Sequence, residues 1–142
     1  PILDMNTNEI VAYDLALRPN LEQISRMLEK AFKKFTNLSG LIFHSDQGWQ
    51  YQHKYFRQAL KEHGIIQSMS RKGNCYDNSV METFFGRLKT EIYYGFEREY
   101  SSFNAFAAAI EEYINYYNNK RIQKKTKWMP PVKYREASMC LG

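Results

Sequence analysis

The chain has 142 residues, 44% of them hydrophobic and 15% aromatic, with 20 Lys and Arg against 15 Asp and Glu. That is one domain's worth of sequence with enough apolar surface for a core, which excludes disorder for most of it. The formal charge of +5 favours a polyanionic partner without specifying one. No apolar run nears the roughly 20 residues of a membrane span, and nothing reads as a signal peptide. Cys75 and Cys140 lack CxxC or Cys/His spacing, which points to two lone thiols in a reducing compartment and no zinc site.

Residues 1–4 read as the tail of a strand, so the chain opens inside an element. Asp4 to Asn8 is turn chemistry, and Glu9 to Leu17 reads as the return strand of a hairpin. Pro19-Asn20 opens a helix with Leu21, Ile24, Met27, Leu28, Ala31 and Phe35 at helical spacing. The run 41–46 is expected as a buried strand, 52–63 as a helix with Tyr55, Phe56, Ala59 and Leu60 inward, and 65–69 as a strand parallel to the first. Residues 70–78 form a polar loop read as mobile. Helices are expected over 79–96 and 101–119, with Tyr113, Tyr116 and Tyr117 as helix packing, before a basic, less regular tail over 123–142. The order of elements predicts an α/β sheet with helices on its faces.

Two carboxylates stand out. Asp46 ends the strand 41–46 before Gln47-Gly48, and Glu82 lies one turn into the helix that follows Asp77-Asn78-Ser79. Taken singly, Asp46 is a turn former, Glu82 a favourable charge at a helix start, and Lys89 a solvated cation. Taken together, acids converging from a strand end and a helix suit divalent metals placed about 4 Å apart for phosphodiester chemistry. Lys89 lies seven residues beyond Glu82, hence on the same helical face, where it can grip a phosphate. Arg71 and Lys72 in the adjoining loop can also reach phosphate. Lys120, Arg121, Lys124, Lys125, Lys127, Lys133 and Arg135 make a basic stretch beside Trp128. His44-Ser45-Asp46 cannot form a hydrolase triad, because consecutive strand residues face opposite ways.

His44-Ser45-Asp46-Gln47-Gly48, then Ser68-x-Ser70-x-x-Gly73-x-x-x-Asp77-Asn78-Ser79-x-x-Glu82, then Phe84-Phe85-x-x-Leu88-Lys89-x-Glu91 resemble the bacterial insertion-sequence transposases with a retroviral-integrase-type core. Tyr117-Asn118-x-x-Arg121 and Pro131-x-x-Tyr134 resemble that family's carboxyl-terminal end, although Gln123 stands where a His is common. The resemblance implies an RNase H-like α/β fold, a mixed sheet flanked by helices. Residues 1–122 would form the core and 123–142 a basic tail.

It further implies an Asp, Asp, Glu triad with two Mg²⁺ ions (Mn²⁺ as substitute), which cleaves DNA and joins the freed 3′-hydroxyl to a target. Asp46 and Glu82 match the second and third acids. Lys89, Arg71, Lys72, Asn78, Lys120 and Arg121 are the implied DNA contacts. Double-stranded DNA at element ends and target, a homo-oligomeric assembly and a cytoplasmic, nucleoid-associated location follow from the same resemblance. The first acid has no match: neither Asp4 nor Asp14 sits at the expected place before the first helix. The expectation is therefore a core without its first strand, weak metal binding and no strand transfer by this chain alone. The alternatives are a non-enzymatic remnant that binds DNA or joins mixed oligomers, and a metal-dependent nuclease without strand transfer.

Overall fold

The computed structural model describes residues 1–141 apart from the side chain of Cys75, so the reading of that thiol lies outside the described residues. Cys140 is a free, exposed thiol. The chain falls into two compact units, Ala12–Glu82 and Pro1–Val11 together with the chain from Thr83 onward.

In the first unit, α1 (Leu21–Lys34) begins at Asn20, whose side chain accepts from the Gln23 N–H at 2.7 Å. Glu22 in its first turn and Lys33 and Lys34 in its last complement the helix dipole. Ile24, Met27, Leu28 and Ala31 form its buried stripe. β3 (Ile42–Ser45) and β4 (Ile66–Met69) pair in parallel with Ile42 opposite Ile66 and Ser45 opposite Met69. The crossover between them carries α2 (Trp49–Gln52) and α3 (Lys54–Glu62). His53 divides these two helices, its Nδ1 accepting from the Tyr55 N–H; α3 is the helix expected over 52–63, and the short α2 before it was not expected. Phe56 is fully buried and meets Phe43 and Tyr51 edge-on, which seats α3 on the sheet. Gly64, at φ +68°, takes the left-handed turn out of α3.

Two expectations are corrected here. The run 41–46 is not a buried strand: Leu41 and Ile42 are 49% and 63% exposed, because β3 pairs only with β4 in a two-stranded sheet. Tyr55 is exposed rather than inward, and its hydroxyl bonds the Ser25 hydroxyl at 2.8 Å.

In the second unit, β1 (Ile2–Leu3) pairs with β2 (Ile10–Ala12) across the turn at 4–9. The strand expected to reach Leu17 stops at Ala12. Beyond it the Tyr13 and Asp14 carbonyls accept from the Lys30 ammonium and the Gln23 amide instead of from a ladder. α4 (Ser79–Leu88) is shorter than expected, because the backbone widens into a π turn over Lys89–Tyr93, closed by Tyr94 N–H to the Lys89 carbonyl at 2.7 Å. α5 (Phe103–Asn119), capped by Ser102, buries Tyr113, Ile114 and Tyr117, with Tyr117 edge-on to Phe84 at 5.1 Å, while Tyr116 is exposed. The tail is not irregular: α6 (Pro131–Cys140) occupies it, with a proline at its first position, where the helix offers an N–H no acceptor.

The hairpin is held by side chains from far along the chain. Asn118 spans the Ile10 backbone, accepting from its N–H and donating to its carbonyl, both at 2.9 Å. Arg135 binds Asp4 at 2.7 Å and the buried Glu9. Ile10 is 2% exposed, so Asn118→Ala strands both of its backbone groups away from water. This variant is expected to lose about 2–3 kcal/mol of unfolding free energy, read by urea denaturation, where Asn119→Ala on the exposed face loses well under about 1 kcal/mol.

Candidate metal and nucleic-acid site

The acids are placed by a junction at the carboxyl ends of β3 and β4. Ser70, 5% exposed, donates its N–H to the Ser45 carbonyl at 2.8 Å, which extends the parallel ladder by one residue. Its own carbonyl accepts from the Gln47 amide at 3.0 Å, and its hydroxyl accepts from the Asn78 amide at 3.1 Å. Asp46 lies between Ser45 and Gln47, and Asn78 immediately precedes α4, whose first turn carries Glu82. One buried serine thus ties the strand end that bears Asp46 to the helix that bears Glu82.

Asp46 is exposed, and its Oδ1 accepts from the Gly48 N–H at 2.7 Å. A Cβ at Gly48 would lie 3.0 Å from that oxygen and 3.1 Å from the Gln50 amide, so glycine permits the close approach. The turn uses one carboxylate oxygen of Asp46. Burial, and then the nearby Asp46 charge, push the Tyr51 phenol up. Glu82 is exposed on α4. His44 bonds the Ser68 hydroxyl at 2.9 Å, opposite it in the parallel register.

The segment read as a mobile polar loop carries its own bonds. Asp77 accepts from the Arg71 N–H at 2.8 Å and from its guanidinium at 3.2 and 3.0 Å. A 3-10 turn over Cys75–Asn78 follows. The Arg71 guanidinium, and then the Arg71 N–H, hold the Asp77 carboxyl down at about 2.

Five of the sequence-derived site residues, Asp46, Glu82, Arg71, Lys72 and Asn78, belong to the unit Ala12–Glu82; Lys89, Lys120 and Arg121 belong to the other. The regular helix on which the shared face of Glu82 and Lys89 was argued ends at Leu88, one residue before Lys89. Arg121 pairs with Glu91 at 2.6 Å. Lys72, Lys89 and Lys120 are exposed. The sequence reading passed over Ser70 and Gln47 as positioning groups; both stand inside the quoted motifs, but nothing in their spacing indicates which carbonyl or amide they meet.

The donor chemistry suits a hard divalent cation, since Asp46 and Glu82 offer oxygen alone. They make two ligands, and among the described residues no group of three or more His, Cys, Asp or Glu is placed to hold a metal ion. The acids ahead of α1 are engaged elsewhere. Asp14 is clasped by Arg26 at 2.8 Å and Lys30 at 3.4 Å; the Arg26 hydrogen bond carries its carboxyl below the ordinary value against the opposing effect of burial. Asp4 and Glu9 hold Arg135.

The Asp77 clasp has a defined pH window. Its folded value lies below the ordinary 3.8, so its contribution is complete above 3.8 and disappears as pH falls through about 2. Arg71→Ala is expected to move the Asp77 midpoint back toward 3.8, read by carboxyl NMR titration. Ser70→Ala leaves the Asn78 amide without its acceptor. It is expected to lose about 1 kcal/mol of stability and to speed amide exchange in the first turn of α4 more than in β3.

Comparison with known proteins places this geometry. Family models described as integrase core domain match residues 1–75 and 82–139. An uncharacterized transposase-like protein of Haemophilus influenzae is 53% identical over 139 residues, covering 98% of this chain and 63% of that protein. The putative transposase InsK for insertion sequence element IS150 of Escherichia coli is 47% identical over 135 residues, covering 95% of this chain and 47% of that protein. The chain therefore spans roughly half to two-thirds of the length of these curated relatives. In fold it is similar to the catalytic core domain of BIV integrase, with TM-score 0.62 at 19% identity over 87% of this chain and 77% of that one. A chain of the simian T-cell lymphotropic virus intasome in complex with PP2A regulatory subunit B56 gamma gives TM-score 0.59 at 19% identity, covering 76% of this chain and 37% of that one. The α/β arrangement is thus that of a retroviral-integrase-type core, and the chain belongs to the integrase core domain family, on the side of the bacterial insertion-sequence transposases.

Proposed function

We propose that this chain is the catalytic-core portion of a DNA transposase and that Asp46 and Glu82 are its metal-binding acids. The observation that carries the reading is the Ser70 junction, which couples the Asp46 strand end to the Glu82 helix within one compact unit. Asp46 and Glu82 would hold Mg²⁺, with Mn²⁺ as a substitute. When bound, the metal supplies Lewis-acid activation of the attacking oxygen and charge stabilisation at the phosphate. The protein's own part is positioning. Gly48 and Ser70 fix Asp46, and Asn78 sets the start of the helix that carries Glu82.

The DNA is double-stranded, at element ends and target. Lys72, Arg71, Asn78, Lys89, Lys120 and Arg121 are its contacts, through phosphates and without sequence information. The assembly is a homo-oligomer working in the cytoplasm on nucleoid DNA. No helix among the described residues is long and apolar enough to cross a membrane, which agrees with this placement.

A second reading is favoured by the ion pairs of Asp4 and Asp14. Neither acid is available as a third ligand. Metal binding through Asp46 and Glu82 alone is accordingly weak, and on this reading the described residues serve as a DNA-binding or co-assembling module that modulates transposition.

A Mn²⁺ titration tests the site. Wild-type binding is expected to weaken by about tenfold or more in Asp46→Asn and in Glu82→Gln, and also in Gly48→Ala, whose Cβ displaces the Asp46 carboxylate. Binding indifferent to Asp46→Asn and Glu82→Gln removes the metal-site reading and leaves the co-assembling partner. Nicked or joined DNA products with Mn²⁺ would restore the enzymatic reading for this chain.

A further inference from the structure

We propose that the turn at 123–129 is a base-stacking DNA contact, with Trp128 receiving the face of an unpaired base and Lys124 and Lys127 the phosphates beside it. The proposal rests on the DNA reading above and deepens it.

The turn is tightly specified. Gln123 and Met129 form an isolated antiparallel bridge, and the Gln123 carbonyl accepts from the Trp128 N–H at 2.8 Å. Thr126 is fully buried, its hydroxyl bonded to the Met129 carbonyl at 2.6 Å and the Gln123 carbonyl at 3.2 Å. Gln123 accepts from the Asn8 amide at 3.0 Å, and Lys125 reaches back to the Met5 carbonyl and to Asn8. So many fixed points hold a backbone that the sequence itself resists. Lys127 and Trp128 sit at φ +53° and +62°, in the left-handed region where side chains other than glycine's are strained. Two such residues in succession persist only where the surroundings over-determine them, and such strain gathers at functional sites.

The product of that strain is an indole held outward. Trp128 is 63% exposed, although tryptophan is the side chain with most to gain from burial. Its setting is strongly cationic. From Tyr113 to Arg135 the chain carries no Asp or Glu and seven Lys and Arg. Arg121, Lys125 and Arg135 make internal bonds, and Lys120, Lys124, Lys127 and Lys133 are exposed. An exposed flat π face on a turn that also carries the exposed Lys124 and Lys127 matches a nucleotide: the base stacks and the phosphates neutralise the lysines. In an intact duplex the base faces are already stacked on each other, so the matching ligand is single-stranded or frayed DNA.

The test uses the full chain with Trp49→Phe, so that the remaining indole, Trp128, reports alone. Short oligothymidylate is expected to quench its emission, and a blunt duplex of the same length to change it little. Trp128→Ala should weaken oligothymidylate binding about tenfold, Trp128→Phe should retain most of the affinity, and neither should lower the melting temperature, since the ring is exposed. Lys124→Ala and Lys127→Ala should weaken both DNAs alike and flatten the salt dependence by about one unit each. Trp128→Ala binding oligothymidylate as wild type does, or losing single strand and duplex equally, overturns the stacking contact. If duplex binding survives Trp128→Ala and Mn²⁺ binding still depends on Asp46 and Glu82, only the stacking contact falls and the transposase reading stands. If the chain binds neither DNA, both fall.

Discussion

Everything chemical in the unit Ala12–Glu82 depends on one buried serine that bonds in three directions. Ser70 closes the last rung of the parallel ladder through its N–H, receives Gln47 at its carbonyl and receives Asn78 at its hydroxyl. Parallel strands place their carboxyl ends side by side, which is where α/β sheets bind ligands. Two neighbouring strand ends still leave a following helix free to swing. The Asn78 bond removes that freedom one turn before Glu82, and the Gln47 bond pins the segment just after Asp46. The Arg71–Asp77 clasp then shortens the connection between β4 and α4, so that the loop between them has few remaining conformations. The acidic pair is therefore set by main-chain and amide hydrogen bonds lying beneath it. The carboxylates themselves stay exposed and available.

A similar economy holds the other unit. A strand pair of two and three residues is far too short to stand alone. Asn118 imitates a neighbouring strand by meeting both backbone groups of Ile10. Arg135 ties Asp4 and Glu9 to α6, and Gln123 and Lys125 hold Asn8 and Met5. Tyr117 and Arg121, which flank Asn118 in the same quoted motif, pack on Phe84 and pair with Glu91. That motif is thus a clamp: one residue fills the core, one completes a strand, one neutralises an acid.

Helical periodicity was legible in the chain, and so were the caps and the parallel crossover. Leu21 to Lys34 needed only its apolar spacing and Asn20, and Asp46 and Glu82 could be located from strand-end and helix-start signals. What could not be read depended on partners distant in sequence. Nothing local to Tyr13 or Asp14 reveals that α1 side chains will take their carbonyls and end β2. The π turn at Lys89 breaks a pattern whose residues are all acceptable in a helix. Pro130-Pro131 looks like a breaker, yet proline at a first helical position is a start signal, and α6 follows. The strained turn at 127–128 was hidden for another reason: neither Lys nor Trp advertises a left-handed backbone, and the buried Thr126 and the bonds of Gln123 and Lys125 that hold it are visible only in the fold.

Arginine and lysine divide the positive charge between two tasks. Arg26, Arg71, Arg121 and Arg135 each face carboxylates, where a planar fork with several donors can satisfy two oxygens at once. Lys72, Lys89, Lys120, Lys124, Lys127 and Lys133 stay at the surface as flexible point charges. The Arg135 pairs that clamp the hairpin are partly shielded, so salt weakens them less than it weakens the exposed Arg71–Asp77 pair. On the proposed DNA reading the lysines would meet phosphates in water, where counterion release makes such contributions steeply salt-dependent. On that reading, raising the salt strips DNA from the chain before it loosens the hydrogen bonds of Ser70 that hold the segments bearing Asp46 and Glu82. Contact that survives at high salt has to come from groups without charge, and the exposed indole of Trp128 is the side chain best suited to supply it.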